Sequence, residues 1–165
     1  MYRDYRIKPR INKLEERTKE MLLTTANIVQ LYQRENFDIV EVTKKYAKAN
    51  VLFEDCTSPY KTFNNNPRIT EFVLFCPQWN INWRIECKSQ QKVSDLITRV
   101  FYELDCVTEL KENKLILVLE GAFNLPSVKN KLNDKIIEYG LQKRVWFGSL
   151  EEFEQKILKR IKKYS

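Results

Sequence analysis

The stretch Ile69-Thr70-Glu71-Phe72-Val73-Leu74-Phe75-Cys76-Pro77-Gln78-Trp79-Asn80-Ile81-Asn82-Trp83-Arg84-Ile85-Glu86-Cys87-Lys88 decides the architecture. Residues 69–76 are rich in β-branched and aromatic side chains, and so are residues 82–88. Pro77-Gln78-Trp79-Asn80 has the composition of a turn. The two runs are predicted to pair as an antiparallel hairpin. Successive strand side chains point to opposite faces. Glu86 and Lys88 therefore share one face of the returning strand, and Ile85 and Cys87 share the other.

Downstream, Asp95 to about Leu110 is helical by periodicity, and Lys114–Leu119 (KLILVL) is an apolar strand buried on both faces. Pro126–Tyr139 is a helix with Pro at its start and Gly140 at its end. Val145-Trp146-Phe147 is a last strand. Ser149-Leu150-Glu151-Glu152 is a capping box opening a final helix whose Leu150, Phe153, Ile157, Ile161 and Tyr164 form one apolar stripe. Helices alternating with strands imply right-handed crossovers and a mixed sheet flanked by helices.

Upstream, Thr57–Arg68 holds two prolines and three consecutive asparagines and reads as a loop, with Val51-Leu52-Phe53 a short strand before it. Asp38–Lys48 reads as a helix capped by Asp38, although Phe37–Val42 also fits a strand. Ile11–Gln33 is predicted as one helix, from the helical spacing of Leu14, Met21, Leu22, Ile28, Val29 and Tyr32. It serves either as a dimerisation or DNA-contact element, making a homodimer possible, or as ordinary core packing. The first ten residues form a basic arm. The chain thus divides into an N-terminal arm and helical extension (1–36) and a main domain (37–165), and the fold class is α/β (α+β).

Composition narrows the chemistry. With 165 residues, 43% hydrophobic, the chain can build a packed core. Three glycines argue against a phosphate-cradling glycine loop. No histidine is present, so a histidine general base, triad or metal ligand is excluded. Catalysis must rest on carboxylates, lysines, tyrosines, thiols or a metal held by oxygen. The 29 basic against 22 acidic residues give a net charge of +7, which suits a nucleic-acid partner and equally an ordinary lysine-rich protein. Cys56, Cys76, Cys87 and Cys106 have no C-x-x-C spacing and read as buried free thiols in a reducing cytoplasm. No signal peptide and no membrane span are expected.

The hairpin carries the chemistry. Two opposite charges, Glu86 and Lys88, on an otherwise apolar strand cost desolvation energy unless their face opens to water or a metal. Glu71 lies fifteen residues before Glu86, on the preceding strand, where a hairpin brings it within reach. Glu71, Glu86 and the backbone carbonyl of Cys87 can together hold one hard divalent cation, Mg²⁺ or Mn²⁺, through oxygen. Lys88 would stand beside that cation and orient or help deprotonate a water. The bland alternatives are a surface Glu86–Lys88 ion pair and a solvent-facing Glu71.

Glu71 followed by Glu86-x-Lys88 on the next strand resembles the PD-(D/E)XK nuclease superfamily, and the local texture is similar to its small phage-type members. Thr70-Glu71-Phe72-Val73-Leu74 is similar to their first active-site strand, and Arg84-Ile85-Glu86-Cys87-Lys88-x-Gln90-Gln91 to their second. The likeness extends over residues 38–148, through Val93-Ser94-Asp95, Tyr102–Cys106 and Lys114–Gly121. Glu71 stands where the superfamily usually has Asp. The resemblance implies a restriction-endonuclease-like fold with an added N-terminal helix. It also implies a divalent-metal-dependent DNA endonuclease in a phage or prokaryotic host cytoplasm.

On that resemblance the catalytic set is Glu71, Glu86, Lys88 and Gln90, although Gln90 also reads as a polar turn residue. A further carboxylate from a core helix is expected. Glu41 fits that place, with Glu16 and Glu20 competing and Asp55 nearby. Tyr60, Lys61 and Arg68 are either phosphate contacts or parts of a solvated loop. The last helix carries Lys156, Lys159, Arg160, Lys162 and Lys163, read as a solvated basic face or as a DNA-backbone patch. Trp79, Trp83 and Trp146 are core residues or base-stacking platforms. Two other activities fit the same fold: a non-cleaving DNA-binding or assembly module, and a dimeric branched-DNA (Holliday junction) resolvase.

Overall fold

The computed structural model describes residues 13–25, 28–32, 44–45, 48–61, 67–107, 110 and 112–165, without the side chains of 13, 31–32, 55–61 and 67–69. The strands are β1 (Ile28–Tyr32), β2 (Asn50–Lys61), β3 (Pro67–Cys76), β4 (Ile81–Gln90), β5 (Lys114–Gly121) and β6 (Val145–Gly148). The helices are α1 (Lys13–Thr24), α2 (Val93–Asp105), α3 (Pro126–Glu138) and α4 (Leu150–Tyr164). The six strands form one mixed sheet in the order β1-β2-β3-β4-β5-β6. β2, β3 and β4 are antiparallel to their neighbours among themselves; β1 runs parallel to β2, β5 to β4 and β6 to β5.

Alternation of apolar side chains on the central strands gives the sheet two dry faces. Leu74, Trp83, Ile85, Ile116 and Val118 pack with Leu14 and Leu22 of α1 and Phe153 and Ile157 of α4. On the opposite face Leu115, Leu117 and Leu119 pack with Leu96, Val100 and Leu104 of α2 and Val128, Leu132 and Ile136 of α3. Each fully buried aliphatic or aromatic side chain contributes about 1.5–3 kcal/mol, so these two layers hold the helices to the sheet.

The expected hairpin is present. β3 and β4 pair from Phe72↔Ile85 to Cys76↔Ile81, joined by a single 3-10 turn at Pro77–Trp79. Asn80 closes it in the left-handed region at φ 52°, which asparagine tolerates better than most residues. The capping box before α4 also forms: Glu152 N–H donates to Ser149 Oγ, and Ser149 N–H donates to the Glu152 carboxylate.

Three expectations are corrected. The helix predicted over 11–33 ends at Thr24, and residues 28–32 form β1. Thr24 and Thr25 donate their hydroxyls to the carbonyls of Met21 and Leu22. Such local bonds compete with the helix ladder and help end it. β-Branched Ile28 and Val29 then pair with Asn50 and Val51 along an otherwise open edge of β2. The loop predicted over 57–68 is also too long, because β2 runs to Lys61 and β3 begins at Pro67. The prolines are accommodated beside a register shift between Ser58 and Lys61, where the ladder is already irregular. The helix predicted to run to Leu110 stops at Asp105. Most of the segment read as a helix over 38–48, Glu41 included, lies outside the described residues.

Candidate active site

The hairpin forks. Beyond Phe72↔Ile85 the β3–β4 ladder ends, and residues 68–70 of β3 pair only with β2 while residues 86–90 of β4 pair only with β5. Glu71 sits at the parting. Its carboxylate reaches across the gap and accepts a hydrogen bond from the Cys87 N–H. In an extended strand the N–H and C=O of one residue point to the same side. The Cys87 carbonyl is thereby directed toward the same gap as Glu71.

A second acid meets Glu71 there. Glu15, in the first turn of α1, lies within hydrogen-bonding reach of it. The sequence favoured Glu41, with Glu16 and Glu20 as competitors, and missed Glu15. The signal was present: Leu14, Thr18 and Leu22 are buried at i, i+4 and i+8 and define the inward face, while Glu16 and Glu20 are exposed. Thr18 lies under the site and accepts a hydrogen bond from the Cys87 thiol at 3.5 Å. Burial raises that thiol well above its ordinary range, with Glu71 adding to the effect. Of the other cysteines, Cys76 and Cys106 are likewise in no disulfide, and the Cys56 side chain is outside the described set.

Burial, then the charge of Glu86, then the hydrogen bond and charge of Glu15 push the Glu71 carboxyl up to about 9, while Lys88 acts the other way. A protonated Glu71 can donate to an oxygen of Glu15, which removes the repulsion between two like charges so close.

Glu86 and Lys88 project from the same face of β4, as their alternation requires, and Arg84 joins them. Arg84 and Glu86 are 1% and 2% exposed, and Glu103 of α2 is 3% exposed. Glu86 Oε1 accepts from Arg84 Nε at 3.1 Å and Nη2 at 2.9 Å. Lys88 Nζ lies 3.2 Å from Glu103 Oε1 and 3.9 Å from Glu86 Oε2. Arg84 is 3.8 Å from Glu103 Oε2. Burial alone would depress Lys88, but Glu103, then Glu86 and Glu71 hold it above the usual lysine range. Sequence reasoning did not find Arg84 or Glu103 as partners. Charged residues of this kind are rarely fully buried unless paired, so Arg84 on an apolar strand was a signal for one.

Gln90 is half-buried at the end of β4, opposite Gly121. A Cβ at Gly121 would stand 2.4 Å from the Gln90 carbonyl, and the backbone there has φ 82°, so only glycine fits. Tyr60 and Lys61 end β2 and Arg68 lies near the start of β3, opposite Ser58; their side chains are outside the described set.

The oxygen donors at the fork suit a hard cation. Among the described residues no three acidic, cysteine or histidine side chains converge on one point. The acids meet pairwise, Glu71 with Glu15 and with the field of Glu86. Mg²⁺ is commonly bound by one or two carboxylates together with waters and substrate phosphates, so such a donor set fits it. No family model matches the chain, and neither does any curated protein or solved structure.

Proposed function

We propose that this protein is a divalent-metal-dependent DNA endonuclease, built as a restriction-endonuclease-like α/β/α layer arrangement. The observation that carries the proposal is the fork itself. Glu71 enters the gap between two parting strands and binds the Cys87 N–H, while Glu15 meets it from α1 and Lys88 stands on the neighbouring strand. The antiparallel β2-β3-β4 meander followed by a helix and the parallel strand β5 supports the same reading.

In this proposal Glu71, Glu86 and the Cys87 carbonyl hold Mg²⁺ or Mn²⁺, with Glu15 completing the acidic rim. When bound, the cation supplies charge stabilisation at the phosphate and a more acidic water. Glu71, held protonated by its surroundings, would have to release its proton to serve as a ligand. Lys88, kept charged by Glu103 and Glu86, orients the attacking water and offsets phosphate charge. Gln90, on the same face of β4 as Glu86 and Lys88, would hydrogen-bond to the water or the phosphate there. Supercoiled plasmid incubated with the protein and Mg²⁺ or Mn²⁺ tests this: nicking or linearisation is expected, with loss in Glu86→Ala and Lys88→Ala. Absence of cutting, or variants that cut like the wild type, refutes it.

One observation favours a second reading, a DNA-binding module that does not cut. Arg84 already occupies Glu86 Oε1 with two hydrogen bonds. A module of that kind shows no Mn²⁺-dependent rise in Tm, whereas the nuclease gains stability with the logarithm of free metal above its Kd.

A further inference from the structure

A cavity of about 500 Å³ opens where α4 crosses β4 and β6. Its floor is aromatic. Trp83 is fully buried and Trp146 half-buried, and the Lys156 ammonium lies 5.3 Å from one ring centroid and 5.5 Å from the other. Lys159, Arg160 and Lys163 line the same cavity. Lys114 pairs with Trp83 across the sheet, so the two side chains share a face.

These cations have little acid to answer them. Among the described residues Glu152 is the one carboxylate in the lining, and it is committed to the capping box at Ser149. Arg160 is partly satisfied by the carbonyls of Trp79 and Asn80, at 2.9 and 2.7 Å. Lys156 makes no ion pair among the described residues. Burial, then Lys114 and Arg160, push it down to about 8. A half-desolvated ammonium crowded by like charges is relieved by an anion. Indole faces beside phosphate-binding cations are also the elements that hold single-stranded nucleic acid, through base stacking and backbone pairing.

We propose that the Lys156–Trp146 cavity is a binding site for a single nucleic-acid strand, with Lys156, Lys159 and Lys163 taking backbone phosphates and Trp146 stacking a base. The site shares its partner with the endonuclease proposal but none of its residues. A strand can be held here whether or not it is cut at the fork.

The experiment uses the full chain in EDTA, where metal-dependent cutting is silent, with a fluorescein-labelled twelve-nucleotide DNA at low salt. Binding is read by anisotropy and by quenching of tryptophan emission. Saturable binding with quenching is expected. Trp146→Ala should weaken it on the order of tenfold, Lys156→Glu should abolish the quench, and Lys156→Arg should retain it. Poly-glutamate at equal charge should not quench. The proposal is overturned if Lys156→Glu binds and quenches like the wild type, if poly-glutamate competes as well as DNA, or if no saturable binding occurs. The folding of each variant is checked by its melting transition. A protein that binds here but never cuts refutes only the fork, and one that cuts but fails this assay refutes only the cavity.

Discussion

Glu15 and Glu71, which are 56 positions apart in the chain, come within hydrogen-bonding reach of one another at the open end of the β3–β4 hairpin. Burial and the neighbouring acids hold the Glu71 carboxyl protonated well above the ordinary carboxylate range.

Replacing Glu71 by glutamine makes that effect measurable. A carboxyl raised from 4.5 to about 9 binds a proton in the folded state that the unfolded chain has already lost. Its contribution therefore falls as pH rises from about 4.5 to 9. Glu71→Gln keeps the hydrogen bond from Cys87 and removes the titration. Melts at pH 8 should show a higher Tm than wild type, by about 2–4 °C per kcal/mol gained, and the gap should shrink toward pH 5. Plasmid cutting should be lost. A variant less stable than wild type at pH 8 contradicts the account.

Glu103 positions Lys88 without touching the gap. Removing one partner of a buried ion cluster costs about 3–5 kcal/mol, because the remaining charges stay buried. Glu103→Ala should fall in that range by urea denaturation. Glu103→Gln, which retains a side-chain acceptor, should fold better than alanine and cut with reduced kcat at little-changed KM. If Glu103→Gln cuts at the wild-type rate, Lys88 does not depend on Glu103.

Lys156 predicts an alkaline signature of the opposite sign. Its ammonium is lowered from 10.5 to about 8. Between those values the unfolded chain holds a proton that the folded one lacks, so stability rises with pH. Lys156 is packed against Trp83 and Trp146, with Lys114 and Arg160 as the charges facing it. The Tm difference between wild type and Lys156→Met should narrow from pH 8 to pH 10, by an amount reduced by its partial exposure. A constant difference would show that this ammonium is not perturbed.

Gly148 controls the indole. A Cβ there would stand 2.5 Å from the Trp146 ring. Gly148→Ala must displace Trp146, at about 1–3 kcal/mol for overpacking, with a shift of tryptophan emission and weaker oligonucleotide binding. Unchanged emission would mean that the ring has room to spare.

Local signals were the most legible. The alternation of Ile85 and Cys87 against Glu86 and Lys88 set the faces of β4, and Ser149-x-x-Glu152 marked the start of α4. What depended on distant pairing was harder. Ile28 and Val29 fit helical spacing as well as strand propensity, and only the open edge of β2 decides between them. Counting them in one long helix blurred the phase of α1. The true inward set, Leu14, Thr18 and Leu22, includes a threonine that a purely apolar stripe passes over. Glu15 was lost with that phase, and with it the acid that meets Glu71.

Residues 67–71 and their β2 partners extend past Phe72 as a two-stranded ribbon fastened at one end. A ribbon twists and bends more readily than a strand clamped along both edges. β4, by contrast, stays laced to β5 as far as Gln90. The two sides of the gap are thus unequally braced: the strand with Glu86 and Lys88 is laced to β5, and the one with Glu71 is held by β2 alone among the described residues. Widening the gap would break the Glu71–Cys87 hydrogen bond but no strand pairing of the described residues.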